Sequence, residues 1–179
     1  MSLTAERLMD LAEERIRDAG YRGFSFRELA AEMGIKSASV HHHFPTKAGM
    51  AAAVARRYGE RFFDLVGPRS GECANDVIAT YRAIFRNVIE RDGRMCLNGM
   101  LGAEAGGIPS EVAGEIETFF RRCIEDLSAR IGGSDAVERA FHVMAALEGG
   151  LILARAYGDI SAFDHATASL ATPTLAAAA

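Results

Sequence analysis

Apolar residues recur along most of this 179-residue chain at positions i, i+3, i+4 and i+7. That spacing places apolar side chains on one face of an α-helix, whereas no stretch shows the strict alternation of a half-buried strand. Glycine or proline stands between successive runs, as expected where one helix ends and the next begins. The sequence therefore predicts an all-α fold of about nine helices.

The predicted helices fall into two groups, separated by the turn-rich segment GPRSGEC at residues 67–73. Thr4 is the expected N-cap of the first helix. We divide the chain into an N-terminal module (1–46), a connecting helix (47–66), a C-terminal module (67–172) and a low-complexity tail (173–179), which is expected to be disordered. The helices are expected at about residues 4–19, 26–33, 37–43, 46–66, 75–91, 95–104, 109–130, 134–157 and 163–171.

The net charge of −4 does not by itself favour a nucleic-acid partner, but the charge is distributed unevenly. Residues 1–66 contain 10 Lys and Arg against 9 Asp and Glu, whereas the remainder contains 10 against 15. Between Met33 and Arg61 there are 5 basic residues and 1 acidic residue. A local basic stretch in an acidic protein suits a small phosphate-facing surface, although a solvated helix face would have the same composition.

Several classes of protein are disfavoured by the sequence. No apolar run reaches the roughly 18 residues of a membrane span, and the charged N-terminus is unlike a secretory signal, so the cytoplasm is the expected compartment. Cys73, Cys96 and Cys123 form no CxxC pair and are expected to be reduced thiols. The sequence contains no HExxH, GxSxG or phosphate-loop motif, so neither an enzyme nor a cofactor is expected.

Two short helices joined by a glycine turn are predicted in the segment YRGFSFRELAAEMGIKSASVHHHF, residues 21–44. Ser25 and Glu28 have the spacing of a capping box at the start of the first of them. Gly34 can take the positive φ of a tight turn, and Ile35 would fill the space between the two helices. Braced by the preceding helix, such a pair forms a helix-turn-helix, whose second helix enters the major groove of DNA.

The positions of the second helix that would face DNA are small and polar. Small side chains let the backbone come close, serine can bond a base edge or a phosphate, and alanine can contact a thymine methyl. An ordinary helical hairpin is the alternative. The expected groove-facing residues are Lys36, Ser37, Ala38, Ser39, His41 and His42.

The segment GFSFRELAAEMGIKSASVHHHFPTKAGM resembles the DNA-binding part of TetR-family (TetR/AcrR-type) transcriptional regulators. The glycine-isoleucine turn (Gly34 and Ile35), the aromatic end of the second helix (His43 and Phe44) and Lys47 match the family pattern over about residues 5–60. The resemblance implies a sequence-specific regulator, commonly a repressor released by a ligand, that binds a near-palindromic operator as a homodimer. His41 departs from the pattern, because the family commonly has tyrosine there.

Further contacts to the DNA backbone are expected around the start of the fourth helix. Thr46 is the expected N-cap of this helix and Lys47 lies in its first turn, where free backbone N–H groups favour an anion. The family resemblance points to the same phosphate contact. Arg27 is a further phosphate candidate, with a solvated arginine as the alternative, and Ser25 is included among the DNA-binding residues. The histidine triplet is not expected to bind a metal, because consecutive side chains point about 100° apart on a helix.

The C-terminal two thirds could hold an effector site, because aromatic, sulfur-containing and isolated acidic residues occur there at helical spacing. Core packing is the alternative for most of them, Phe141 included. Cys96, near a helix start and beside Arg94, could be a reactive thiol, which makes a redox or electrophile sensor the alternative mode of control; a small buried thiol would look the same. The candidate ligand-binding residues are Tyr81, Phe85, Cys96, Met100, Glu104, Phe119, Phe120, Cys123, Met144 and Glu148.

The segment AFHVMAALEGGLILARAYG, residues 140–158, mixes small residues with large aliphatic ones. Small residues permit close helix approach, as at a subunit interface. Gly149 and Gly150 would otherwise cost about 1 kcal/mol each relative to alanine. The family resemblance implies that the last two long helices form a four-helix contact between two copies of the chain.

Overall fold

The structure, a computed structural model, describes residues 2–67 and 73–171, and within these ranges it contains nine α-helices and no strand. The all-α prediction is therefore confirmed. Residues 68–72 of the predicted connector and the predicted tail at 173–179 lie outside the described residues. The helices are α1 Leu3–Ala19, α2 Phe26–Met33, α3 Ser37–His43, α4 Lys47–Val66, α5 Ala74–Asp92, α6 Leu97–Gly102, α7 Ser110–Ile131, α8 Ala136–Tyr157 and α9 Ser161–Ala166.

The ends of the first helices follow from short-range hydrogen bonds. Ser2, not Thr4, caps α1, because the Ser2 hydroxyl accepts from the backbone N–H of Ala5 at 3.2 Å. The predicted cap of α2 is confirmed, since Ser25 Oγ accepts from the backbone N–H of Glu28 at 3.3 Å. Gly34 ends α2 at φ 66°, in the left-handed region that favours glycine.

The chain divides into two compact units. The first unit contains the described residues up to Phe63 together with Met95–Phe120, so α6 and the start of α7 pack with the N-terminal helices. Its core is built from the apolar faces of these helices and buries, among others, Leu8, Met9, Ala12, Ile16, Leu29, Val40, Met50, Val54, Leu97 and Leu101. The sequence-based division at residues 46, 66 and 172 stays a prediction.

The second unit contains Asp64–Arg94 and the described residues from Arg121 onward. Here α9 packs closely on α8, because a Cβ on Gly150 would lie only 2.9 Å from Cδ2 of Phe163. Asp164, also on α9, forms ion pairs with Arg82 and Arg86 of α5 at 2.7 and 3.0 Å. Close packing within the chain therefore explains Gly150, whereas an added Cβ on Gly149 would meet no atom within 4 Å; the subunit interface that the sequence suggested for this segment stays a prediction.

Within the described residues, no helix is both long enough and apolar enough to cross a membrane.

Candidate functional site

Helices α2 and α3 are joined by a tight turn at Gly34. The backbone N–H of Ile35 bonds back to the carbonyl of Ala30 at 3.0 Å, which closes the end of α2. Val40 faces inward and is fully buried, so it fixes α3 against the core of the first unit. Two helices held in this way, with α1 packed against both, form a helix-turn-helix.

The outer side of α3 is open to solvent. Val40 is its one buried residue and His43 is half-buried, so the helix presents a nearly continuous polar surface. All the residues that the sequence predicted to face the groove are exposed: Lys36, Ser37, Ala38, Ser39, His41 and His42. This surface is short, carries small side chains, and fits the approach of a recognition helix to base edges.

The three histidines of α3 have different neighbours. The His41 ring meets Phe26 of α2 edge to face, with centroids 4.9 Å apart, whereas the His42 ring contacts His43 at 5.4 Å. The contact with Phe26 holds the imidazole of His41 at the side of α3 nearest α2. Among the described residues, no cluster of three or more histidine, cysteine and acidic side chains has the arrangement of a metal site.

The start of α4 combines a cap with a shielded cation. Thr46 Oγ1 accepts from the backbone N–H of Gly49 at 2.9 Å, which confirms Thr46 as the cap. Lys47 Nζ lies 4.7 Å from the ring centroid of Tyr21 and 4.6 Å from that of Phe24. Burial between these rings lowers the pKa of Lys47. The sequence did not predict this cation–π contact, which holds the ammonium beside the start of the helix.

The two remaining DNA-binding candidates, Ser25 and Arg27, differ in whether their polar groups form hydrogen bonds within the chain. The Ser25 hydroxyl donates to the carboxylate of Glu28 at 2.8 Å while also capping α2, so its hydrogen-bonding capacity is largely used locally. Arg27 is exposed on the first turn of α2. Ser25 and Arg27 stay predictions as DNA contacts.

The ten candidate ligand-binding residues are divided evenly between the two compact units. The first unit contains Cys96, Met100, Glu104, Phe119 and Phe120, whereas the second contains Tyr81, Phe85, Cys123, Met144 and Glu148. The role of each group in binding a ligand stays a prediction.

In the first unit, Cys96 and Glu104 flank α6. The Cys96 side chain is buried and its Sγ accepts from the backbone N–H of Gly99 at 3.5 Å, so the thiol serves as the cap of α6. Glu104 Oε2 accepts from the backbone N–H of Tyr21 at 2.9 Å. This acidic residue within an apolar run therefore connects the end of α6 to the turn after α1.

In the second unit, three of the candidate ligand-binding residues lie close together between the packed helices: Tyr81, Cys123 and Glu148. The hydroxyl of Tyr81 donates to Asp126 at 2.7 Å, and burial together with this bond raises the pKa of Tyr81. Burial, with the nearby Glu148 carboxylate, raises the pKa of the Cys123 thiol. A thiol held in this way is protonated and a poor nucleophile. Phe85 and Met144 are core residues.

Two features that bear on function were not predicted from the sequence. Asn98 lies on α6 with its side chain completely buried, although nothing in the segment MCLNGMLGAE marks it. Phe141, expected in the core, is 59% exposed on α8. The apolar residues of α8 surround the helix, so the sequence pattern could not indicate which of them face solvent.

Comparison with known proteins agrees with this architecture. Residues 8–54 match the model of the tetR family of bacterial regulatory proteins. A TetR transcriptional regulator from Legionella pneumophila is 27% identical over 95% of this chain and 96% of its own, with a TM-score of 0.87. No curated protein matches the sequence.

Two more distant structures show the shared fold. A TetR-family regulator from Agrobacterium tumefaciens is 24% identical over 94% of this chain and 95% of its own, with a TM-score of 0.85. Escherichia coli NemR in its reduced form is 20% identical over 96% of this chain and 100% of its own, with a TM-score of 0.77. The match to the tetR family model therefore covers the helix-turn-helix, and the fold shared with these TetR-family structures extends over nearly all of the chain.

Proposed function

We propose that this protein is a sequence-specific transcriptional repressor that a small-molecule effector releases from DNA. The observation that carries the proposal is the exposed polar surface of α3, held in place by the single buried side chain of Val40. Small side chains on the exposed face of the second helix of a helix-turn-helix let its backbone come close to base edges in the major groove.

The proposed contacts divide by type. Lys36, Ser37, Ala38, Ser39 and His42 contact base edges or the adjoining backbone, because they form the exposed face of α3. His41, Thr46, Lys47, Ser25 and Arg27 contact phosphates and fix the register of α3 on the duplex.

We further propose that the protein acts as a homodimer through an apolar surface of α8, one of its last two long helices. Val137, Phe141 and Ile152 are each more than half exposed and fall within about 60° of one another around α8. Exposed apolar stripes of this kind mark protein interfaces. Gly149 has no atom of this chain within 4 Å of an added Cβ, which leaves room for the close approach of a second copy.

A dimer of this kind binds a near-palindromic operator, because its two recognition helices are related by the same two-fold axis. The same proposal includes control by a non-covalent effector, the absence of catalysis and of a cofactor, and action in the cytoplasm. Control by covalent reaction at Cys96 is the alternative, and the burial of that thiol and its use as a helix cap weigh against it.

Selection of bound DNA from a random pool tests the proposal. An enriched near-palindrome supports it, and compounds can then be screened for release of the protein from that DNA. A protein that enriches no sequence over the starting pool is not a sequence-specific regulator.

A further inference from the structure

The sequence contains only two lysines, Lys36 and Lys47, against 18 arginines. A lysine amine can lose its proton and accept an acyl group, whereas an arginine guanidinium stays charged and does not. Both lysines border α3, because Lys36 directly precedes that helix and Lys47 begins α4. Side-chain amines that an acyl donor can modify are therefore confined to the surface proposed to face DNA.

The two amines have different surroundings. Lys36 is exposed, whereas the side chain of Lys47 is half-buried, with its Nζ 4.7 Å from the ring centroid of Tyr21 and 4.6 Å from that of Phe24. Burial lowers the pKa of Lys47, which increases the fraction of the neutral amine, the nucleophilic form. Of the two lysines, Lys47 is thus the one held in a fixed, partly desolvated position.

A second cation lies beside the amine of Lys47. Arg22 is exposed on the turn after α1, and in the part of the chain that the structure describes no carboxylate forms an ion pair with it. Its charge adds to the effect of burial in lowering the pKa of Lys47, while the more distant carboxylates of Glu28 and Glu104 oppose both. A guanidinium without a counter-ion is suited to binding a phosphoryl group, and the N–H groups in the first turn of α4 add to this. A phosphate-binding cation and a nucleophilic amine are therefore neighbours.

We propose that Lys47 is a site of acylation by small acyl phosphates, whose phosphoryl group Arg22 holds while Nζ of Lys47 attacks the acyl carbon. The bond between that carbon and the phosphate oxygen breaks, and inorganic phosphate leaves with the proton that the nitrogen loses. The product is a neutral amide, which can pack on the rings of Tyr21 and Phe24.

Acylation removes the positive charge that the proposed contact of Lys47 with a DNA phosphate requires, so it should weaken DNA binding. This consequence rests on the proposed function, whereas the modification site itself does not. An acyl phosphate and the DNA backbone would compete for the same cations, so the free protein is the form that reacts.

Acetyl phosphate, added to the full-length protein without DNA, tests the site, with acetylation of each lysine followed over time by peptide mass spectrometry. Lys47 should react about threefold or more faster than Lys36, because the donor is held beside its amine. Arg22→Gln should abolish this preference, whereas Arg7→Gln, which changes an exposed arginine of α1, should keep it. N-acetoxysuccinimide, a donor without phosphate, should acetylate Lys47 at similar rates in the wild type and in Arg22→Gln.

Inorganic phosphate gives a second readout, because as a competitor it should slow the reaction of acetyl phosphate at Lys47 more than at Lys36. The proposal is overturned if the two lysines react with acetyl phosphate at the same rate, if Arg22→Gln keeps the preference, or if phosphate slows both reactions equally.

The effect on DNA binding is measured separately on the treated samples. The affinity of the acetylated wild type for its selected DNA should fall by about tenfold. Lys47→Arg, which keeps the charge but cannot be acylated, should retain its affinity through the same treatment. An acetylated wild type with unchanged affinity would overturn the proposed consequence, and an untreated protein that selects no DNA would overturn the repressor proposal while the mapping still decides the site.

Discussion

The ammonium nitrogen of Lys47 lies 4.6 Å from the centroid of the Phe24 ring. Phe24 precedes α2 and Lys47 begins α4, so this contact connects the start of the helix-turn-helix to the first turn of the helix that follows it. The attraction limits the positions that a long side chain can sample. We propose that Lys47, held in this way in the first turn of α4, contacts a DNA phosphate there.

Lys47→Ala should weaken binding to all DNA sequences alike, because it removes a backbone contact rather than a base contact. The slope of log affinity against log salt should fall by about 1. The measurement is a salt titration on the selected site and on unrelated DNA. Arg121→Ala, which removes an exposed cation of α7, is the control and should leave the slope unchanged. A change of sequence preference at constant slope would show that Lys47 does not contact a phosphate.

The proposed contact of His41 with a phosphate predicts that DNA binding depends on pH. The imidazole is exposed beside Phe26, and a protonated imidazole gives a phosphate a charge-assisted hydrogen bond that the neutral ring does not. DNA favours the charged form, so affinity should rise as the pH falls from about 8 to about 5.5 at constant salt. His41→Tyr should keep binding and flatten this profile.

The neighbouring histidine is the control for that experiment. His42 is exposed on α3, and His42→Ala should alter which sequences are selected while it leaves the pH profile as in wild type. Identical pH profiles for wild type and His41→Tyr would show that His41 does not contact a phosphate.

Phe141→Glu should dissociate the proposed dimer. Burial of a carboxylate in an apolar interface is costly, so the dimer dissociation constant should rise by about a hundredfold or more. Sedimentation velocity over a range of protein concentrations measures it. Leu3→Glu changes an exposed apolar residue of α1 in the first unit and should leave the dimer intact. A Phe141→Glu protein that sediments like wild type would place the interface elsewhere.

The cysteines should differ in reactivity. Cys73 is exposed, whereas Cys96 and Cys123 are buried and burial raises the pKa of Cys123. Brief treatment of the native protein with N-ethylmaleimide should therefore give a single adduct at Cys73 and leave DNA binding unchanged, as read by intact mass and peptide mapping. First reaction at Cys96 with loss of DNA binding would instead support the covalent sensor.

Short-range features of this fold could be predicted from the sequence. The Ser25–Glu28 cap and the positive φ of Gly34 depend on residues within a few positions of each other, and both are confirmed. The exposed face of α3 could be predicted because its residues are small or polar, and all six predicted groove-facing residues are exposed. The predicted N-cap of α1 was wrong by two positions, because Ser2 and Thr4 have similar capping preferences.

Long-range contacts could not be predicted in this way. Glu104 stood out as an acidic residue in an apolar run, but its partner, the N–H of Tyr21, lies 83 residues away in the chain. Periodicity identified α8 but could not separate a side that faces the core from one that faces solvent, which is why Phe141 was expected to be buried. Nothing in the sequence indicates that the side chain of Asn98 is buried, so this feature could be found only in the structure.

The central claim, that two recognition helices of a homodimer bind one symmetric site, is tested most directly by DNA selection combined with the stoichiometry of the complex. We predict an enriched near-palindrome whose half-sites lie about one helical turn, roughly 10 bp, or somewhat more apart. Sedimentation of the complex should show two chains, or a multiple of two, on each selected duplex. A single asymmetric half-site bound by one chain would contradict the account.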